Sequence, residues 1–252
     1  MCTLAVLFQA HAAGPLVVAA NRDEWLARPA APFQVLRREP RTLGGKDEQA
    51  GGTWLAVNEH GVMAALTNQP GGRDPARRSR GELPLLLTRE RSARAAVEAF
   101  RSSARGEAWN PCWLLVGDRE ALYYLPIEGQ GPPRVEALAP GVHVLENRPL
   151  RPASAKAARI AARAAAAAAA AGDVERLLAG LGALLGDHDA PEEPAAARPR
   201  EVEATCVHAG PYGTRSAALV LVPPVGLPRV RAAEGSPCAT ALLDRTALWT
   251  SG

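Results

Sequence analysis

Aromatic side chains are scarce in this chain, at 4% of 252 residues, and much of its 47% apolar content is alanine. A core is within reach, but it has to come from small and aliphatic side chains. Basic residues barely outnumber acidic ones, 29 to 26, for a formal charge of +3. No block of Lys or Arg is interleaved with aromatics. The densest basic patch, Arg77, Arg78 and Arg80, reads as a solvated loop, so no nucleic-acid partner is expected. Apolar runs of membrane-spanning length are missing as well. Ala164 to Ala171 follows Lys156, Arg159 and Arg163 and reads as a soluble helix, so no membrane span is expected. The first twenty residues lack a basic leader region and run directly into Asn21-Arg22-Asp23-Glu24, which argues against a signal peptide. The four cysteines, Cys2, Cys112, Cys206 and Cys238, include no Cys-x-x-Cys pair, which excludes a zinc ribbon or a thioredoxin-type motif. Cys206 and His208 alternate on one face of an expected strand, but the sequence offers no further ligands nearby. Core packing is their expected role, and no metal is expected. A cytoplasmic, reduced protein fits these absences.

What is present begins at the second residue. In Met1-Cys2-Thr3 the small Cys2 side chain permits removal of the initiator methionine, after which one residue carries both a thiol and a free α-amine. An α-amine titrates near pH ~7.7–8.0, so part of it is unprotonated at neutral pH and able to take the thiol proton. Nucleophile and base then share a residue. The bland alternative is a small residue in an N-terminal strand.

Thr3–Ala10 and Leu16–Ala20 read as strands around a His11–Pro15 turn, and Gly51–Val57 with Val62–Thr67 as a second hairpin. Arg28 to Gln49, rich in Pro, Gly and charge, reads as a surface loop. Leu83–Glu90 and Ala93–Ala104 have helical composition, the latter capped by Ser92. Strands are expected at Cys112–Gly117, Ala121–Leu125 and Val142–Glu146. Ala153–Ala171 reads as a helix stopped by Gly172, and Asp173 caps another from Val174 to Leu185. Asp187 to Arg200 reads as an exposed connection. Strands follow at Glu203–His208 and Arg215–Val222, with a last hairpin through Val230 and Thr246–Trp249. Strands come as hairpins and not as strand–helix–strand units, which points to antiparallel sheets in a single domain over 1–252: an α+β protein with two sheets and a helical layer outside each.

Polar residues cluster at strand ends: Asn21-Arg22-Asp23-Glu24, Thr67-Asn68, Asn147, and Tyr212-Gly213-Thr214-Arg215. A nucleophile, a group that orients its base, and amide donors for a developing oxyanion are the inventory of an acyl-transfer site. Taken with Met1-Cys2-Thr3-Leu4, Gly51-Gly52-Thr53-Trp54, Leu66-Thr67-Asn68 and Ser79-Arg80-Gly81, these motifs resemble, in matching order from Met1 to about Val222, the NRDE or Transport and Golgi organisation family. One departure follows Asn147, where the family's Trp before a helix lysine is replaced in Pro152-Ala153-Ser154-Ala155-Lys156.

That family is similar to the N-terminal nucleophile hydrolases of the cysteine amidase type. The resemblance implies a four-layer αββα sandwich of two mainly antiparallel sheets. It assigns Cys2 as nucleophile, Asp23 as the carboxylate orienting the new amine, Asn68 and Asn147 as oxyanion donors, and Arg215 as a cation near the thiol. Asn21, Arg22, Glu24, Trp54 and Tyr212 are expected to support the site. Asp23 with Arg22 or Arg215 could equally be a buried ion pair setting sheet register, and Asn68 a turn residue before Pro70-Gly71-Gly72. Two functions are open: an amidohydrolase acting on a small N-acyl compound, needing no cofactor, or a non-catalytic carrier of a hydrophobic cofactor such as haem, with Cys2 or a histidine as ligand. The substrate or ligand is a small molecule in either case.

Overall fold

Cys2–Phe8 forms the first strand, β1, because its Leu, Val and Phe side chains are buried on both faces of a sheet interior. In the computed structural model, residues 2–103, 108–129, 131, 133–190 and 199–251 are described. They fall into two compact units.

The first unit comprises Met1–Arg28, Pro140–Leu221 and Arg229–Arg245. Its sheet holds β1, β2 (Leu16–Trp25), β10 (Gly141–Leu145), β11 (His208–Ala209), β12 (Tyr212–Val222), β13 (Arg229–Ala233) and β14 (Leu243–Asp244). The order is β10-β1-β2-β12-β13-β14, with β11 on β12. Two helices, α3 (Ala155–Ala170) and α4 (Val174–Leu185), cover one face. Ser154 accepts a hydrogen bond from the Ala157 N–H at the start of α3, and Asp173 accepts one from the Arg176 N–H at the start of α4. Ala157, Ile160, Ala164 and Ala168 recur at helical spacing and pack with Leu177, Leu181 and Leu184 of α4 onto Ala5, Leu7, Val17, Ala19 and Leu219. Alanine on the sheet and on α3 lets the helices sit close, while the leucines supply the larger apolar area, about 1.5–3 kcal/mol for each one buried.

The second unit comprises Pro29–Ala139, Val222–Pro228 and Thr246–Gly252. It is a meander of β3 (Ala30–Arg38), β4 (Arg41–Asp47), β5 (Leu55–Asn58), β6 (Met63–Asn68), β7 (Cys112–Gly117), β8 (Leu122–Ile127) and β9 (Glu136–Ala137), each paired with the next. α1 (Glu82–Leu87) and α2 (Ala93–Ser103) pack Leu83, Leu87, Val97 and Phe100 against Val62, Ala64, Leu66, Leu114 and Val116. The α+β class with two antiparallel sheets is thus present, and no helix among the described residues is long and apolar enough to cross a membrane.

Several elements differ from the sequence reading. Arg28 to Gln49 is not a surface loop but the hairpin β3–β4. Its alternation is weak because β3 is an edge strand, half-buried, with Pro32 and two register shifts along it. The second strand does not stop at Ala20: it continues through Asn21, Arg22 and Asp23, all buried. Glu203–His208 is not a strand; a 3-10 turn covers Arg200–Glu203 and pairing starts only at His208. Thr246–Trp249 is likewise a 3-10 turn, and β14 supplies the last pairing. Gly172 is not in the left-handed conformation: Ala171 ends α3 in extended backbone, which leads straight into the Asp173 cap. Residues 191–198, most of the expected Asp187–Arg200 connection, lie outside the described residues.

Candidate active site

Backbone register builds this site. β1 runs between β2 and β10, which puts Cys2 opposite Arg22 and Thr3 opposite Asn21. Directly opposed residues share a sheet face, so thiol and guanidinium project together. Asn21 and Asp23 alternate onto the other face, the one covered by α3 and α4. There Asn21 Nδ2 donates to the carbonyl oxygens of Leu185 (2.9 Å) and Thr205 (2.8 Å), a structural clamp on the end of α4.

The backbone nitrogen of Cys2 donates to Asn147 Oδ1 at 2.8 Å. Asn147 lies just beyond β10, the other neighbour of β1. With Met1 in place this donor is an amide N–H; once Met1 is removed, the same nitrogen is the α-amine. Asn147 therefore acts on the nitrogen of Cys2, a contact the sequence reading had not assigned to it.

Burial pushes the Cys2 thiol above the ordinary cysteine range; the Asp23 and Glu24 carboxylates add to that push, and the Arg22 guanidinium works against it. Arg215, on the β12 strand beside β2, donates its Nε to the Arg28 carbonyl at 2.8 Å. The cation standing opposite Cys2 is Arg22.

Asp23 is buried, and burial raises its carboxyl above the usual range, against the pull of the Lys156 ammonium and a hydrogen bond from Thr214. Thr214 Oγ1 donates to Asp23 Oδ1 at 2.6 Å while accepting from the Val207 N–H at 2.8 Å, and Tyr212 Oη donates to the Asp23 carbonyl at 3.0 Å. Tyr212 also meets Trp25 edge-on. Glu24 accepts from the Trp25 N–H and lies 3.8 Å from Arg28 at the end of β2.

Lys156 carries no role in the sequence reading. It is buried in the first turn of α3 with its Nζ donating to the Val202 carbonyl at 3.0 Å. The available signal was a lone lysine beside the apolar stripe of an alanine-rich helix, where a solvated residue has no reason to be. Two expected residues belong to the second unit. Asn68 closes β6 opposite Cys112, and the Trp54 indole occupies the space a Cβ on Gly45 would need. Metal-type donors gather elsewhere in the first unit, at His188, Cys206, His208 and Cys238.

Comparison with known proteins agrees with this framework. The family model described as "Transport and Golgi organisation 2" matches residues 1–234. The Transport and Golgi organization protein 2 homolog of Bos taurus is 32% identical over 230 residues, covering 82% of this chain and 82% of its own. Among solved structures, a Caenorhabditis elegans N-acylethanolamine-hydrolyzing acid amidase ortholog superposes with a TM-score of 0.54 at 13% identity, over 87% of this chain and 92% of its own. A C2A mutant of the conjugated bile acid hydrolase from Clostridium perfringens gives 0.56 at 11% identity, over 100% and 95%. At such identities the likeness is one of fold, that of the N-terminal nucleophile hydrolases.

Proposed function

The chain belongs to the Transport and Golgi organisation 2 family, and from that premise we propose that it is an N-terminal cysteine amidohydrolase cleaving a non-peptide C–N bond of a small N-acyl compound. The observation that carries the proposal is the hydrogen bond from the Cys2 nitrogen to Asn147 Oδ1. A buried acceptor aimed at that nitrogen is what an α-amine acting as base requires. Two of the fold's neighbours are, by name, an N-acylethanolamine-hydrolyzing acid amidase ortholog and a conjugated bile acid hydrolase.

In this reading Met1 is removed and the Cys2 amine, held by Asn147, accepts the thiol proton as sulfur attacks the carbonyl carbon. Because burial keeps the thiol protonated at neutral pH, the base has to be local. Arg22 stabilises the thiolate as it forms. The proton passes from the amine to the leaving nitrogen as the C–N bond breaks, leaving a thioester on Cys2. Water, deprotonated by the same amine, then releases the acid and restores the thiol. Asp23, fixed by Thr214 and offset by Lys156, supplies the negative charge that orients the ammonium state. The family resemblance also assigns Asn68 an oxyanion donor's part.

The carrier reading needs only Cys2 or a histidine as a haem ligand, and leaves the fixed nitrogen without a purpose. Intact mass and a thiol probe test the hydrolase. Met1 should be absent from purified protein, and Cys2 should label faster than Cys112, whose thiol burial pushes up to about 12. A retained Met1, or Cys2 labelling no faster than Cys112, overturns it. A Soret shift on haem titration that disappears in Cys2→Ala would favour the carrier.

A further inference from the structure

The two partners that Cys206 and His208 lack in sequence are supplied by the fold. His188, just past α4, and Cys238, in the turn after β13, converge on them, and all four donor atoms lie within 4.8 Å of one another. Cys206 Sγ is 3.7 Å from Cys238 Sγ and 3.7 Å from His208 Nε2, and His208 Nε2 is 3.3 Å from Cys238 Sγ. The His188 and His208 rings are 5.0 Å apart between centroids.

We propose that His188, Cys206, His208 and Cys238 form a tetrahedral zinc site. The separations themselves argue for it. Zinc bonds of about 2.3 Å to sulfur and about 2.0–2.1 Å to nitrogen, at tetrahedral angles, hold two sulfurs about 3.8 Å apart and sulfur from nitrogen about 3.6 Å apart. The observed sulfur–sulfur distance of 3.7 Å and sulfur–nitrogen distances of 3.7 and 3.3 Å lie close to those spacings. A disulfide would need the sulfurs at about 2.05 Å. Two thiols and two imidazoles are a donor set for a borderline-soft ion and a poor one for calcium or magnesium.

Backbone contacts hold the segments that carry these donors. The Cys206 N–H donates to the Asp187 carbonyl at 2.8 Å. His188 Nδ1 lies 3.2 Å from the Cys206 carbonyl, so with its proton there the ring offers Nε2 as ligand. The Ser236 carbonyl accepts from the N–H groups of Ala239 (3.0 Å) and Thr240 (2.9 Å), which curls the turn carrying Cys238. A Cβ on Gly186 would sit 3.4 Å from the Cys238 backbone, so the chain after α4 passes close against that turn. Cys206 is buried while His188, His208 and Cys238 are exposed, which gives an ion access from solvent.

Four protein ligands leave no open position for substrate, so the metal is structural. It ties the end of α4, the edge at β11 and the turn after β13 into one node. Val207, between two of the ligands, exchanges hydrogen bonds with Thr214, the residue whose hydroxyl fixes Asp23. The node therefore braces the strand that positions Asp23.

Reduced, chelator-stripped protein titrated with zinc against a metallochromic competitor should bind one equivalent per chain. Cobalt should give the thiolate charge-transfer and intense visible bands of a tetrahedral sulfur site. Cys238→Ser and His208→Asn, at exposed positions and with unchanged far-ultraviolet circular dichroism, should weaken binding at least a hundredfold and lose the cobalt spectrum. Cys2→Ser should bind as wild type does, which separates this site from the hydrolase reading. The proposal is overturned if wild type takes up no zinc after reduction, if Cys206→Ser/Cys238→Ser retains the equivalent, or if Cys2→Ser loses it.

Discussion

Arg22 stands directly opposite Cys2 in the β1–β2 ladder, so a permanent cation and the candidate nucleophile share one face of the sheet. Burial raises the thiol and Arg22 counters it. Arg22→Gln should therefore slow alkylation of Cys2 at fixed neutral pH by about tenfold for each unit by which the thiol rises. Arg215→Gln, removing a guanidinium engaged with the Arg28 carbonyl, should change that rate little. Iodoacetamide kinetics followed by peptide mass spectrometry measure both, and the reverse order would return the role to Arg215.

Asn147→Ala removes the acceptor of the Cys2 nitrogen. A buried donor left without a partner costs about 1–3 kcal/mol, so the midpoint of urea unfolding should fall accordingly. If the nitrogen is also the base, turnover should fall by more than the loss of folded protein explains. Asn147→Asp, which keeps the acceptor, should recover stability. Equal stability of the alanine variant would show that the bond holds nothing.

Asp23 links stability to pH in an unusual direction. Its carboxyl is raised in the folded state by burial, against the pull of Lys156 and Thr214, so the folded protein binds the proton more tightly than the unfolded chain. The contribution of a raised carboxyl is fully present below the unfolded value and is lost as pH rises through the folded one. Relative to Asp23→Asn, wild type should thus gain stability as pH falls from neutral through the carboxylate range. At neutral pH the variant should melt no lower than wild type, while kcat falls with the loss of the orienting charge. Thermal melts of both proteins across that range decide the sign.

Thr214→Val keeps the shape of the side chain and deletes its hydroxyl. Val207 then loses an acceptor and Asp23 a donor, at a cost of about 1–3 kcal/mol for buried groups left unsatisfied. The proton affinity of Asp23 should rise further, since that hydrogen bond favours the charged form. An acid limb in the kcat profile displaced toward higher pH is the expected signature; an unmoved profile with lower stability would make Thr214 structural only.

Much of this arrangement was legible in the sequence where local signals and burial agree. Asp173 announces the start of α4, Val174–Leu185 shows its leucine face, and Cys112–Gly117 is apolar throughout. Ordered motifs singled out Cys2 and Asp23, while the contact of Asn147 with the Cys2 nitrogen appears only in the fold. Misses came where tertiary pairing overrides local composition. β3 is a half-buried edge strand with a proline, so it reads as a loop. The run Asn21-Arg22-Asp23 is polar, so it reads as a strand's end although it is buried strand. The place of Lys156 beside the apolar stripe of α3 hints at its burial, but its partners, like those of His188 and Cys238, come together only through the fold.

The pairing of β1 between β2 and β10 also orders events in time. The acceptor of the Cys2 nitrogen lies 145 residues downstream. At a synthesis rate of about 5–20 residues per second, it follows by about 7–30 seconds. Until then the first strand has only its hairpin partner and its leading end stays open to a processing peptidase. Once β10 docks, Cys2 is buried and that opportunity closes. In the hydrolase reading, maturation is in that sense a race between trimming and folding, and a codon change that hurries the middle of the chain would alter how many molecules carry a free amine without altering a single residue.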